Sequence, residues 1–453
     1  MAGAVTRAGA VGAAFEPIRV MELELSAPLP RLDRVEAPGE QAHSRARALV
    51  RLHGRPLGLL DVSVPPPGLT GGDLAALVWR DLAGAVNDHL RHDGVPPLTS
   101  LSAQGIGGPL EPRCVQERRH LLERAPFASV IVATRNRARS LPTVLDALLV
   151  QDYPHYEIVV VDNAPSDDAT RELLRARYGD EVSVRYVRED RPGLSNARNC
   201  GLRHARGEIV AVTDDDVRPD RLWLAEVARG FEAGENVGCV TGSILALELN
   251  TAAQLWIEQY GGFNKGFARR VYDLAEHRLG SRLYPYAAGT FGSGANCSFK
   301  RSALLELGGF DPFLGAGTPS LGGEDLSVFV ELLSRGYQLA YEPGALVYHA
   351  HRTTYDDLRR QMFSYGAGLT AYLTKTVLTR PVRLLDLLAR VPSGLNHALS
   401  PKSGKNRQKN ATYPAELTRL ELRGMLYGPV AYLKSRRQAR SGAALPRPRE
   451  VTR

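Results

Sequence analysis

No two of the four cysteines, Cys114, Cys200, Cys239 and Cys297, form a C-x-x-C pair. Their scatter supplies neither a disulfide framework nor a zinc site, and it fits a reducing cytoplasm. Long apolar runs are also missing. The uncharged stretches 94–110 and 283–299 are full of Gly, Pro and polar residues, so no segment reads as a bilayer span. The opening residues MAGAVTRAGAVGAAFEP have no leucine-rich core, and no signal peptide is read there. Acids are fewer than bases, giving a net charge of +8, with Arg far outnumbering Lys. The Ala/Arg/Gly bias of the whole chain accounts for part of that excess, so no nucleic-acid partner is inferred. A basic surface suits an anionic ligand or an anionic membrane, and equally a plain solvated exterior. What remains is ordinary globular material, 43% hydrophobic and 23% charged over 453 residues, enough for two or three domains.

Composition and periodicity divide the chain. Residues 1–17 read as a disordered start and 18–93 as a small α+β accessory domain. Within the latter, Arg47–His53 and Pro56–Val64 read as strands around the turn Gly54-Arg55. Leu74–Leu90 reads as a helix after the start signal Thr70-Gly-Gly-Asp73. Residues 94–126, opening with GVPPLTSLSAQGIGGPLEP, read as a linker. From Phe127 strands and helices alternate. Strands are expected at Ser129–Ala133, Glu157–Val161, Val182–Val187 and Glu208–Val212, with helices at Leu141–Leu149, Ala169–Tyr178 and from Leu194. Continuous apolar runs such as SVIVA and EIVVV belong to strands buried on both faces, and the rhythm predicts an α/β fold with a mainly parallel, doubly wound sheet. That domain is expected over 127–375. A helical extension follows over 376–435 and a disordered basic tail over 436–453.

In such sheets ligands bind beyond the carboxyl ends of the strands. The polar clusters fall there. Asp214-Asp215-Asp216 follows the fourth strand, and three adjacent carboxylates repel one another unless a hard divalent cation, Mg²⁺ for instance, offsets the charge and screens a diphosphate. The competing reading is a solvated acidic turn or helix cap. Asp162, at the end of the second strand, can accept hydrogen bonds from a nucleobase or ribose, while Asp167 and Asp168 read as helix caps. Pro192 and Gly193 bend the chain into a helix whose free N–H groups favour anions, and Arg198 on that helix either faces a nucleotide or pairs with an aspartate. In FGSGANCSFKR, Asn296 reads equally as a sugar contact or as part of a glycine-rich turn. Glu324-Asp325 opens an amphipathic run. A carboxylate there can take a proton from an attacking hydroxyl, with Asp325 favoured over Glu324, or else serve as an N-terminal helix charge. His349 and His351 share a face if extended, and His349 reads equally as a metal ligand or a structural histidine.

These segments in this order, SVIVATRNR, EIVVVDNAPSDDAT, GLSNARNCGL, EIVAVTDDDV, GSGANCSF, GGFD and GGEDL, resemble family 2 glycosyltransferases of the GT-A fold. The resemblance runs from about Phe127 to about Ala371. It implies a nucleotide-binding sheet joined to an acceptor-binding half, a nucleotide-sugar donor, Mn²⁺ or Mg²⁺, and inversion at the anomeric centre. Carried over by position, Ala133, Thr134 and Arg135 surround the base and Asp162 binds it. Asp214 with Asp215 or Asp216 matches the D-x-D motif for ribose, metal and diphosphate. Asp325 matches the catalytic base of the E-D pair, and His349 the late histidine near the metal. Ala133-Thr134-Arg135 stands where many members have Pro-Thr-Tyr, and Cys297 where Met is common. The chain has no Q-x-x-R-W motif, which speaks against a processive synthase. Trp256 and Tyr260, four apart on one helical face, are candidates for an acceptor site, with core packing expected of at least one. The acceptor class stays open among saccharides, lipid-linked sugars and small molecules. A cytoplasmic protein is expected, at the inner face of the plasma membrane if it binds lipid. A sugar-phosphate nucleotidyltransferase is disfavoured because the loop Thr134–Arg137 lacks glycines. A non-catalytic nucleotide-sugar binding protein is disfavoured by the intact acidic triad and E-D pair.

Overall fold

The computed structural model describes residues 15–34, 43–108, 111–261 and 263–440. The expected disordered start and tail therefore lie mostly outside the described residues. Of the tail, 436–440 are helical.

The N-terminal region pairs β1 (Ile18–Glu24) parallel to β2 (Arg45–Leu52), which turns at His53-Gly54 into antiparallel β3 (Arg55–Ser63). The turn sits one residue earlier than the sequence predicts. Helix α1 (Gly71–His92) begins at the expected signal: Thr70 accepts from the Asp73 N–H, and Asp73 reaches back to the Thr70 N–H, a reciprocal cap. Leu74, Val78, Val86 and Leu90 bury its apolar stripe against Val50, Leu52, Leu60 and Val62. The linker expected over 94–126 is instead packed structure. Leu101 is buried in that same core, the Leu29 N–H donates to the Ala103 carbonyl (2.8 Å), and the Ile106 N–H donates to Leu25 (2.6 Å). Residues Arg113–Glu123 form helix α2, which buries Cys114 and Leu121. Turn-rich composition conceals sparse apolar anchors of this kind.

Next come β4 (Ala128–Thr134), α3 (Leu141–Leu149), β5 (Tyr156–Asn163), α4 (Ala169–Tyr178), β6 (Val184–Glu189), α5 (Leu194–His204), β7 (Ile209–Asp214), β8 (Val217–Pro219) and α6 (Trp223–Phe231). β9 (Val237–Ala246), α7 (Ala252–Gln259), β10 (Arg270–Tyr272), β11 (Asn296–Lys300), α8 (Arg301–Glu306), α9 (Glu324–Ser334) and β12 (Gln338–His349) complete the sheet and its coverings. The sheet order is β10-β12-β9-β11-β7-β4-β5-β6, with β8 on β12, and β4, β5, β6 and β7 run parallel. Alternate residues of each strand serve opposite layers, as a period of two requires. Val130, Val132, Ile158 and Val160 pack with Leu141, Leu145 and Trp223, whereas Ile131, Val159, Val161 and Val212 pack with Ala197, Phe299 and Phe329. Burial on both faces is what makes these strands read as continuous apolar runs.

Helices α10 (Tyr355–Thr379), α11 (Arg383–Leu399) and α12 (Ala415–Arg440) close one side. α10 and α12 touch backbone to backbone. A Cβ on Gly366 would sit 1.9 Å from the Glu421 carbonyl oxygen, and one on Gly424 would sit 2.0 Å from that of Phe363, so only glycine fits at either crossing. Among the described residues no helix is long and apolar enough to cross a membrane. The N-terminal unit docks on the larger sheet through Arg51 to Asp220 (2.6 Å), the Ile18 N–H to the Leu249 carbonyl (2.9 Å), and Tyr348 to Glu22.

Candidate functional site

Register assembles the site. Thr134 lies opposite Asp162 and Ala133 opposite Asp214. Antiparallel β11 sets Asn296 opposite Thr213, and β12 sets His349 opposite Val217. A cleft of ≈ 1990 Å³ opens at this edge, lined among others by Ala133, Thr134, Arg135, Arg198, Asp214, Asp215, Asp216, Glu324, Asp325 and His349.

The aspartate triad divides in two. One ligand atom each from Asp214, Asp216 and His349 lie within 4.8 Å of one another, a spacing one cation can span. His349 Nε2 is 3.5 Å from Asp216 Oδ1. Asp215 is outside that ligand cluster. Its carboxylate accepts from Thr134 Oγ1 (2.7 Å) and from Arg137, and burial pushes it up to about 6 against the opposing pull of Arg137. The donor contact expected of Asp215 thus becomes a hold on the loop after β4. Arg137, given no role from sequence, also donates to Asp216 Oδ2 (3.1 Å), and Arg352 approaches the same oxygen (3.6 Å). Both cations neutralise the triad and both face the cleft.

His349 ends a relay that no sequence motif announces. Glu258 Oε1 is 2.9 Å from His351 Nε2, and the two histidines meet Nδ1 to Nδ1 at 3.1 Å. A carboxylate can only accept, so His351 carries its proton on Nε2 and accepts at Nδ1 from His349. That tautomer leaves the lone pair of His349 Nε2 directed at Asp216. Burial lowers the His349 pKa, which favours this neutral form. Glu258 is itself held by Arg47 of the N-terminal unit (3.2 Å).

Arg198 resolves its two readings in favour of pairing. It is 1% exposed, and its guanidinium donates to Glu324 Oε1 (2.9 Å), Asp214 Oδ1 (3.1 Å) and the Gly294 carbonyl (2.9 Å). Its side chain is therefore turned to the acids rather than to a nucleotide. Glu324 is buried, whereas Asp325 is partly open. The Gly294 N–H donates to Asp325 Oδ2 (2.6 Å) and the Leu326 N–H to Oδ1 (2.8 Å). Burial raises both carboxyl pKa values, and for Glu324 the charge of Asp325 adds to the rise. A Cβ on Gly294 would lie 3.0 Å from Arg198 and 3.1 Å from Asp325, so glycine lets the backbone reach this acid.

Other expectations are corrected. Asn296 is a scaffold residue, not a sugar contact: Nδ2 donates to the carbonyls of Ser243 (2.9 Å) and Ala345 (2.7 Å), and Oδ1 accepts from Trp223 Nε1 (2.9 Å). Asn296→Ala is expected to lower unfolding free energy by about 3 kcal/mol, because several buried partners lose their hydrogen bonds. Chemical denaturation checks this, and an unchanged midpoint contradicts it. Trp256 packs edge-on to Tyr355 (5.6 Å) in the contact of α7 with α10. Tyr260 lines the cleft, packs at a tilt against Tyr365 and donates to Glu421 (2.7 Å). The start of α5 offers fewer free groups to an anion than expected, since the Leu194 N–H donates to Ala316 (2.9 Å). Asp162 is fully buried. Oδ2 accepts from Tyr186 (3.1 Å), and Oδ1 has no hydrogen-bond partner.

Comparison with known sequences accords with this layout: the sequence profile of glycosyl transferase family 2 matches residues 129–308. That segment is similar to glycosyl transferase family 2. The chain is 24% identical over 250 residues to a glucosyl-dolichyl phosphate glucuronosyltransferase of Haloferax volcanii, covering 52% of this chain and 74% of the relative. It is 26% identical over 240 residues to a pre-mycofactocin glycosyltransferase of Mycobacterium tuberculosis, covering 53% and 46%. It is also 23% identical over 262 residues to a poly-beta-1,6-N-acetyl-D-glucosamine synthase of Staphylococcus aureus, covering 56% and 59%. The chain thus spans about half the length of these last two. Among solved structures, a mannosyltransferase from Pyrobaculum calidifontis in complex with GDP-Man and Mn²⁺ aligns at TM-score 0.40 and 21% identity, over 71% of this chain and 77% of that one.

Proposed function

We propose that the chain transfers a glycosyl group, with inversion, from a nucleotide-sugar to an acceptor hydroxyl, using a divalent cation held by Asp214, Asp216 and His349. The observation that carries this is Arg198, one guanidinium bonded both to Asp214 of the cation cluster and to Glu324 of the acid pair. It fixes the centre for diphosphate beside a candidate base. Two carboxylates and one neutral imidazole suit Mn²⁺ or Mg²⁺, and such a cation, when bound, stabilises charge on a departing diphosphate.

This chain's residues do the rest. Ala133 and Arg135, which line the cleft after β4, seat the base, and Arg137 and Arg352 face the phosphates. Asp325 accepts the acceptor's proton as its oxygen bonds to the anomeric carbon and the nucleoside diphosphate leaves. Each Asp325 oxygen accepts one backbone bond and keeps a second lone pair for that proton.

The acceptor is proposed to be lipid-linked. From Tyr365 and Leu369 the cleft wall continues into Leu384, Leu388, Val391 and Leu395 of α11. On that helix Leu385 is 75% exposed and Leu388 55%. An amphipathic helix of this kind lies at a lipid surface, and the Haloferax relative is named for a dolichyl phosphate. Turnover of a panel of nucleotide-sugars, with a polyprenyl-phosphate acceptor in anionic vesicles or a free saccharide in solution, tests both parts. Activity is expected on the vesicle acceptor, abolished by EDTA and restored by Mn²⁺. EDTA-insensitive transfer removes the cation reading, and a preference for the free saccharide removes the lipid reading.

A further inference from the structure

The N-terminal unit holds a second cluster of ligand-type side chains, outside the family match and apart from the cleft. His53 opens the β2–β3 turn with φ of 56°, and both oxygens of Glu24 pin that turn through the N–H groups of His53 and Gly54 (2.9 Å each). His89 lies in the last turn of α1, Asp93 is that helix's C-cap residue one turn on, and Cys114 lies in the first turn of α2. Four atoms from three elements converge: His53 Nδ1, His89 Nε2, Asp93 Oδ2 and Cys114 Sγ.

Their six separations are 3.1 Å between the imidazoles, 2.8 and 3.1 Å from Asp93 to His53 and His89, 3.1 Å from Cys114 to Asp93, and 3.7 and 3.6 Å from Cys114 to His53 and His89. A zinc ion with tetrahedral bonds of about 2.0–2.3 Å needs ligand separations of roughly 3.3–3.7 Å. The cluster is thus a slightly contracted tetrahedron. The His53, His89 and Asp93 side chains are 9%, 6% and 0% exposed, and Cys114 is 0% exposed. The other oxygen of Asp93 accepts from the Cys114 N–H (2.9 Å), the kind of outer hydrogen bond that orients a metal ligand. Thiolate and carboxylate together balance a dication, and sulfur with imidazole selects zinc over Mg²⁺ or Mn²⁺.

We propose that His53, His89, Asp93 and Cys114 bind a structural zinc ion that staples the β2–β3 turn to α1 and α2. All four ligands come from protein, which leaves no open position and marks the site as structural rather than catalytic. The scatter of the cysteines reads as no zinc site, and the proposal departs from that reading because a single cysteine is joined here by two histidines and an aspartate.

The purified full chain, equilibrated with zinc and passed over a weak chelating resin, is expected to carry one zinc per chain by elemental analysis. Asp216→Ala should retain that zinc, while Cys114→Ala and His89→Ala should lose it. Cobalt in place of zinc should give a sulfur-to-metal charge-transfer band and an intense tetrahedral visible spectrum in the wild-type chain, which needs no variant to fold. Wild-type protein without that band, or with no more zinc than Cys114→Ala, overturns the proposal. In that case the cluster is a hydrogen-bonded group in which three donors share Asp93 Oδ2.

Discussion

Replacing Asp325 with Asn is expected to lower transfer by about 10²–10⁴-fold while leaving donor affinity unchanged, because the carboxylate acts on the acceptor's proton and not on the nucleotide. Asn keeps the shape, and its carbonyl oxygen can still accept one of the two backbone bonds, so the loop at Gly294 should persist. Single-turnover transfer and calorimetric titration of the nucleotide-sugar separate the two quantities. Near-normal turnover would remove Asp325 as the base. The pH profile adds a second reading. Burial raises Asp325 and pushes Glu324 up to about 7. A carboxylate base works only when ionised, so the rate should fall as pH drops through the raised value. The acid limb therefore lies nearer neutrality than an ordinary carboxylate would put it, and Asp325→Asn should abolish that limb along with the rate.

Asp216→Ala is expected to remove most of the metal-dependent donor binding. Loss of an outer partner of a metal ligand already costs roughly 10–100-fold in affinity, and loss of a ligand should cost more. Thermal shift with nucleotide-sugar and Mn²⁺ reads this directly, since a ligand that binds only the folded state raises Tm. The contrast is with Asp215→Asn. That variant should retain Mn²⁺-dependent stabilisation by donor but melt lower, because an amide accepts from only one of Thr134 and Arg137 and carries no charge to pair with Arg137. If Asp215→Asn abolished the metal response and Asp216→Ala did not, the division of the triad would be reversed.

Much of the sheet was legible because its central strands are buried on both faces, and a run such as SVIVA has few other readings. Asp214 and Asp216 were separable from Asp215 by the same period of two, had it been carried past the strand end. Arg137 carried a weaker signal, its place in the loop after β4. Asn296 was not legible. Its three partners, Trp223, Ser243 and Ala345, are distant in sequence, and only the pairing of β11 with β7 and β9 brings them together. The packed segment 94–126 was hidden by turn-forming residues whose few apolar anchors follow no period. The four ligand-type residues of the N-terminal unit come from a hairpin turn, a helix end and a helix start, a convergence that depends wholly on that packing.

The relay from Arg47 through Glu258 and His351 to His349 starts outside the segment that the family profile matches. A chain started after residue 126 would contain the whole matched segment, yet Glu258 would lose the Arg47 ion pair that steadies the carboxylate against His351. The N-terminal unit thus lies outside the matched segment and is still tied by charge to the histidines of the candidate site.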